Sequence, residues 1–140
     1  MSEQFKIYAE FVKDLSSETK DIETYLYVKE YLKNYKLNIE ISSKPLKDRF
    51  IEINTKLTYL DNGQSAKKSF FEIIYATIVK IDETIKDRKI IEKIVLCDVQ
   101  KEIYPKLEKI FTNLLSDSGY PGVKFEKKID FEQLYSQRLN

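Results

Sequence analysis

Two stretches in the middle of the chain repeat with a period of two, and that period leaves little choice of backbone. In Lys36–Ser42 (KLNIEIS), Leu37, Ile39 and Ile41 alternate with Asn38, Glu40 and Ser42. In Arg49–Leu60 (RFIEINTKLTYL), Ile51, Ile53, Thr55, Leu57 and Tyr59 fall on one side. Successive side chains of a strand point to opposite faces, so each run predicts a β-strand with one buried face. A third run, Ser69–Ile81 (SFFEIIYATIVKI), is set apart by its density of β-branched and aromatic residues rather than by a period, and predicts the most buried strand of an antiparallel sheet. Pro45 and its polar neighbours separate the first two runs. Asp61-Asn62-Gly63 offers a positive-φ residue for a tight reversal between the second and third, which predicts a hairpin.

The N-terminus repeats the pattern: Phe5, Ile7, Ala9 and Phe11 alternate with Lys6, Tyr8 and Glu10, predicting one more strand that ends near Lys13-Asp14. From Ser16 to Asn34 the spacing of Ile22, Tyr25, Leu26, Lys29 and Leu32 is helical, with Ser17 or Thr19 as cap. After Ile81 the period lengthens again. Ile90, Ile91, Ile94 and Val95, then Ile103, Leu107, Ile110, Phe111 and Leu114, predict helix, with Asp82 as a cap. Proline has no amide hydrogen to donate, so Pro105 predicts a break or kink near Tyr104 and a second helix that starts at Pro105 and stops before Gly119. Tyr120–Lys128 reads as loop, and Asp130 with Gln133 as a capping box for a last helix over Phe131–Leu139. Strands first and helices last make an α+β fold over residues 1–140, a single domain.

Composition narrows the chemistry. The chain has no histidine, which removes Ser-His-Asp and Cys-His machinery and the commonest metal ligand together. One cysteine allows neither an internal disulfide nor a multi-thiolate zinc site, and three glycines leave no phosphate-cradling loop. No catalytic, cofactor-binding or metal-binding residues are therefore assigned, and no cofactor is expected. Carboxylate neighbours such as Asp14 with Glu18, or Asp82 with Glu83, read as solvated surface in a chain with 34% charged residues. Cys97 follows Ile94-Val95-Leu96 and reads as a buried structural thiol. A formal net charge of +1 gives no electrostatic pull toward nucleic acid or an anionic membrane. MSEQFKIYAEF lacks the apolar run of a signal peptide, and no window reaches the ~18 apolar residues of a membrane span, so a cytoplasmic location without membrane insertion is expected.

Aromatic residues are in surplus, ten Tyr and eight Phe, and Tyr25, Tyr27, Tyr31 and Tyr35 crowd between two strands. On a helix Tyr27 and Tyr31 share one face while Tyr25 and Leu32 share the opposite one. Apolar area on both faces marks either an interface or packing beneath the chain's own sheet.

With the elements in this order, the chain resembles the SecB family of bacterial protein-export chaperones, nearly end to end. The opening FKIYAEFVKDLSSE is similar to that family's first strand and its K-D-[IL]-S-x-E ending, here Lys13, Asp14, Leu15, Ser16 and Glu18. Leu46, Asp48, Glu52 and Ile53 fit L-x-D-x-x-x-E-[IV], and Phe70-Phe71-Glu72-Ile73 fits an apolar-apolar-Glu-Val run. Tyr104-Pro105, Gly119, Pro121 and Asp130-Phe131-x-x-Leu134-Tyr135 complete the ordered set. The chain departs from the family at Ala76-Thr77, where a glycine pair is usual, and in its lysine- and tyrosine-rich connection over 19–36.

The resemblance implies a four-stranded antiparallel sheet followed by C-terminal helices, assembled as a homotetramer built from two dimers. It implies an ATP-independent holdase that binds unfolded polypeptides, with no enzymatic activity. Tyr25, Leu26, Tyr27, Tyr31 and Leu32 are expected to border the client groove. Asp14, Glu18, Phe70 and Glu72 match the face that receives the basic tail of the export ATPase SecA. A chaperone dedicated to one client, such as an antitoxin, fits the same fold, and a self-assembling structural or regulatory protein is the reading from another class.

Overall fold

A computed structural model describes residues 4–125 and 128–138. Four strands, β1 (Phe5–Glu18), β2 (Lys36–Pro45), β3 (Phe50–Leu60) and β4 (Phe70–Ile81), form one antiparallel sheet in the order β1-β4-β3-β2. Strands β2, β3 and β4 follow one another as a meander. β1 reaches the far side of β4 through the long connection over 19–35, a Greek-key path.

The register follows the alternation. Ile51, Ile53, Thr55, Leu57 and Tyr59 of β3 stand opposite Val79, Thr77, Tyr75, Ile73 and Phe71 of β4, and these pairs make the inner, helix-covered face. The outer face carries Phe50, Glu52, Asn54, Lys56 and Thr58 beside Lys80, Ile78, Ala76, Ile74 and Glu72.

β1 departs from its simple pattern. Register shifts between Ile7 and Ala9 and between Val12 and Asp14 mark bulges at Tyr8 and Lys13. Each extra residue inverts the faces of those that follow. Phe5 and Ile7 therefore pack on the core, whereas Ala9 and Phe11, expected beside them, stand on the outer face next to Ile78 and Ala76. The strand also runs on to Glu18. Ser17 pairs with Phe71, so it cannot cap a helix, and Thr19 hydrogen-bonds Ser69 instead.

Helix α1 (Ile22–Glu30) is capped by Asp21, whose carboxylate accepts from the Thr24 amide at 2.8 Å. A 3₁₀ turn over Leu32–Asn34 leads into β2. The reversal after β3 is not tight: residues 61–69 separate the two strands, and Gly63 has no positive φ, its amide being held by Asp61 Oδ1.

The helical layer likewise differs in its joints. Asp82 closes a turn with Thr84, and Asp87 caps α2 (Arg88–Lys93). A π-helical turn over Ile94–Asp98 follows, then α3 (Val99–Asp117), which passes through Pro105 without ending. Pro105 and Lys101 are both exposed, so the Lys101 carbonyl that loses its i+4 donor faces water. α3 buries Ile103, Leu107, Phe111 and Leu115 against the inner sheet face, and Gly119 follows its end with a positive φ. The last helix, α4 (Phe131–Arg138), starts at Asp130, whose carboxylate accepts from the Gln133 amide; residue 139 lies outside the described residues. Cys97 is fully buried, and burial pushes its thiol above the ordinary value. No described helix is long and apolar enough to cross a membrane.

A candidate binding groove along the free edge of the sheet

β2 is hydrogen-bonded to β3 on one side only, which leaves its other edge of backbone N–H and C=O groups unpaired by any described strand. Beneath this edge Leu37, Ile39 and Ile41 turn inward but stay partly exposed. The facing wall comes from α2, the π turn and α4: Ile91, Val95, Leu96, Leu134 and Tyr135. Between the walls lie two hollows of about 450 and 270 Å3, with Leu96 lining both. Arg88, Glu92 and Glu40 stand at the rim. An open strand edge over an apolar floor suits an extended polypeptide, whose main chain bonds to the edge while alternate side chains enter the hollows. Ile39 and Ile41 are legible in the alternation of β2, but the facing wall depends on how α4 folds back, which no local pattern records.

The aromatic connection divides its residues. Tyr25 packs on Tyr120 with ring centroids 5.3 Å apart, and its hydroxyl donates to the Gly119 carbonyl at 2.9 Å. Leu32 is partly buried against the core. Leu26 is 57% exposed, and Ile22, one turn earlier on the same face, is 60% exposed. Tyr27 and Tyr31 pack ring on ring at 4.6 Å. Inside the helix Val28 and Thr24 are buried. Tyr35 closes the segment among Tyr59 and Phe71, with its hydroxyl accepting from the Ser69 amide, and burial raises its pKa. This fixes the connection over the end of the sheet where β2 begins.

On the outer face Asp14, Glu18, Phe70 and Glu72 come together at the same end of β1 and β4. Glu18 is the cross-strand partner of Phe70, Ser16 of Glu72, and Asp14 of Ile74.

A family model described as "Preprotein translocase subunit SecB" matches residues 1–140. The chain belongs to the SecB family. A Pelagibacter ubique (strain HTCC1062) protein that carries the SecB name is 56% identical over 140 residues, all of both chains. The protein-export protein SecB of Rhodopseudomonas palustris (strain BisA53) is 22% identical over 137 residues, covering 98% of this chain and 83% of its own length. Among solved structures, a Mycobacterium tuberculosis SecB-like chaperone, in complex with a ChAD peptide from the HigA1 antitoxin, superposes with a TM-score of 0.62. That match is 11% identical and covers 89% of this chain and 91% of the other, a likeness of fold.

In this SecB-family chain the outer face is cross-linked by charge. Lys13 Nζ lies 2.8 Å from Glu52 Oε2, and this bond, with one from Asn54, holds the Glu52 carboxyl below its usual value. Lys56 sits between Glu40 at 3.4 Å and Glu72 at 3.5 Å, and Glu72 before Glu40 raises its pKa. Of the acidic trio only Asp14 and Glu18 lack a lysine among the described residues; Asp14 accepts from the Ser16 hydroxyl at 2.7 Å. Phe70 is 40% exposed beside them. Among the described residues no cluster of His, Cys, Asp or Glu could hold a metal ion.

Proposed function

We propose that this SecB-family chain is an ATP-independent holdase that binds extended apolar stretches of unfolded polypeptide in the groove beside β2. The observation that carries the reading is the free β2 edge above a floor of Ile39, Ile41, Ile91 and Leu96. Binding without a chemical step lowers the concentration of the aggregation-prone chain by mass action. Leu26, Tyr27 and Tyr31 extend the apolar surface from the connection, and Tyr25 and Leu32 support them from below.

The protein acts in the cytoplasm as a homotetramer, a dimer of dimers. β1 favours assembly, because Tyr8, Phe11, Val12 and Leu15 are each at least 40% exposed and project from both faces of an edge strand. Clients pass to SecA, whose basic tail meets Asp14, Glu18, Phe70 and Glu72 on the outer face.

Three measurements test these statements. A folded wild-type protein that neither suppresses aggregation of a denatured substrate nor binds a fluorescent extended apolar peptide overturns the holdase reading. Sedimentation equilibrium that returns a mass near 16.6 kDa removes the tetramer. Calorimetric titration with the SecA tail peptide should show salt-sensitive binding that Glu18→Lys abolishes, and no heat at low salt removes the hand-over to SecA while leaving holdase activity intact.

A further inference from the structure

The helix beneath the groove is one residue out of step with α3, and a buried side chain marks the place. Over Ile94–Asp98 the backbone forms a π turn, with the Val99 amide donating to the Ile94 carbonyl five residues back. A π turn inserts one residue, and one residue is about 100° of helical rotation. The sequence carries the same step: Ile90-Ile91 to Ile94-Val95 is four, Val99-Gln100 follows after five, and Ile103-Tyr104 after four again. In an unbroken α-helix fixed by α3 on the sheet, Ile91, Val95 and Leu96 would be rotated out of their positions on the groove wall.

Gln100 spans this joint. It is fully buried, its Nε2 donates to the Val95 carbonyl at 3.3 Å, and its Oε1 accepts from the Thr55 hydroxyl at 3.0 Å. Thr55, at the middle of β3, is also fully buried. A buried amide or hydroxyl that loses its partner incurs its desolvation penalty, so the bonds hold or fail together. The carbonyl of a groove-lining residue is thereby tied to the centre of the sheet.

We propose that the Thr55–Gln100–Val95 chain of hydrogen bonds fixes the π turn, and with it the shape of the groove and the side chains a bound polypeptide places there. Gln100 and Thr55 are positioning residues that touch no client. The inference rests on the groove reading given above and names what sets its selectivity.

The test compares wild type with Thr55→Ser, which keeps the hydroxyl, and with Thr55→Val and Gln100→Leu, which break the chain. Affinities are measured for two extended fluorescent peptides of equal length, one rich in Leu and one in Ala. Wild type and Thr55→Ser should share one Leu-to-Ala preference, and the other two variants should shift it by about fivefold, the factor that the loss of one buried hydrogen bond supports. Folded Thr55→Val and Gln100→Leu with the wild-type preference overturn the proposal, because a purely structural pair would change stability alone. Amide exchange at Val99 gives a reading that needs no peptide. Protection lost locally in Thr55→Val, at unchanged protection of β3 and β4, supports the tie to the turn, and retained protection overturns it. Wild type that binds neither peptide, with protection lost in the variants, removes the groove reading and leaves the hydrogen-bond chain as the determinant of the turn.

Discussion

The Tyr25 hydroxyl donates to the carbonyl of Gly119, a residue 94 positions away, and so pins α1 to the end of α3. Gly119 adopts φ +103°, and a Cβ there would stand 2.6 Å from Tyr25 Cε1. Gly119→Ala combines backbone strain with that clash and should destabilise the fold by about 1–3 kcal/mol. Tyr25→Phe should lose about 1 kcal/mol. Urea unfolding measures both, and a Gly119→Ala midpoint equal to wild type would refute the contact.

Tyr27 and Tyr31 stack on each other while their neighbours Val28 and Thr24 fill the interior. Replacing both tyrosines by alanine should weaken client binding by ~1–4 kcal/mol, the range of an interface anchor. An aggregation assay reads it. A double variant that keeps its assembly state and protects a denatured protein as well as the parent assigns the pair to packing.

Lys13 and Asn54 hold the Glu52 carboxyl below 4.5 in the folded protein. A lowered native pKa means that the unfolded chain binds the proton more tightly, so this contribution is complete above pH 4.5 and is lost as pH falls through the native value. Denaturant midpoints across that window should fall less steeply for Glu52→Gln than for wild type. Parallel profiles would show that the ion pair carries no stability.

Thr77 and Thr55 make opposite cases on one sheet face. Both are fully buried, but the Thr77 hydroxyl has no partner among the described residues whereas that of Thr55 bonds to Gln100. Thr77→Val removes an unpaired polar group at nearly constant volume and should stabilise by about 1 kcal/mol, while Thr55→Val should destabilise by a similar amount. Thermal unfolding of the two variants should therefore shift in opposite directions, and a lower midpoint for Thr77→Val would indicate a bound water or partner at that hydroxyl.

Much of this architecture is written locally. The alternation of Ile51 to Tyr59 gave one central strand and its inner face, because a half-buried strand must repeat every second residue, and the β-branched and aromatic density of Ser69 to Ile81 gave the other strand without its faces. Two departures share an origin in single-residue phase. Bulges at Tyr8 and Lys13 leave composition unchanged yet send Phe11 outward, and the π turn absorbs a five-residue step that a fixed period reads as noise. Pro105 predicts a break or kink and the start of a second helix, yet α3 runs through it as one helix, because the Lys101 carbonyl that loses its donor lies on the exposed side. The groove was legible on one wall only. Ile39 and Ile41 belong to a strand pattern, while Leu96 and Leu134 meet them through contacts between distant segments.

The Greek-key path also sets an order of events. β2, β3 and β4 join neighbours in sequence, but β1 must wait for β4, with Phe5 meeting Ile81 and Glu18 meeting Phe70. Closing so long a loop is entropically costly until the meander offers a finished edge, so β1 docks late. During synthesis Phe11, Val12 and Leu15 are made before their partners Ala76, Tyr75 and Ile73 and stay unpaired until β4 has followed them. Until β4 is in place, β1 is thus itself an apolar stretch of unfolded chain, of the kind that the groove proposed above would take.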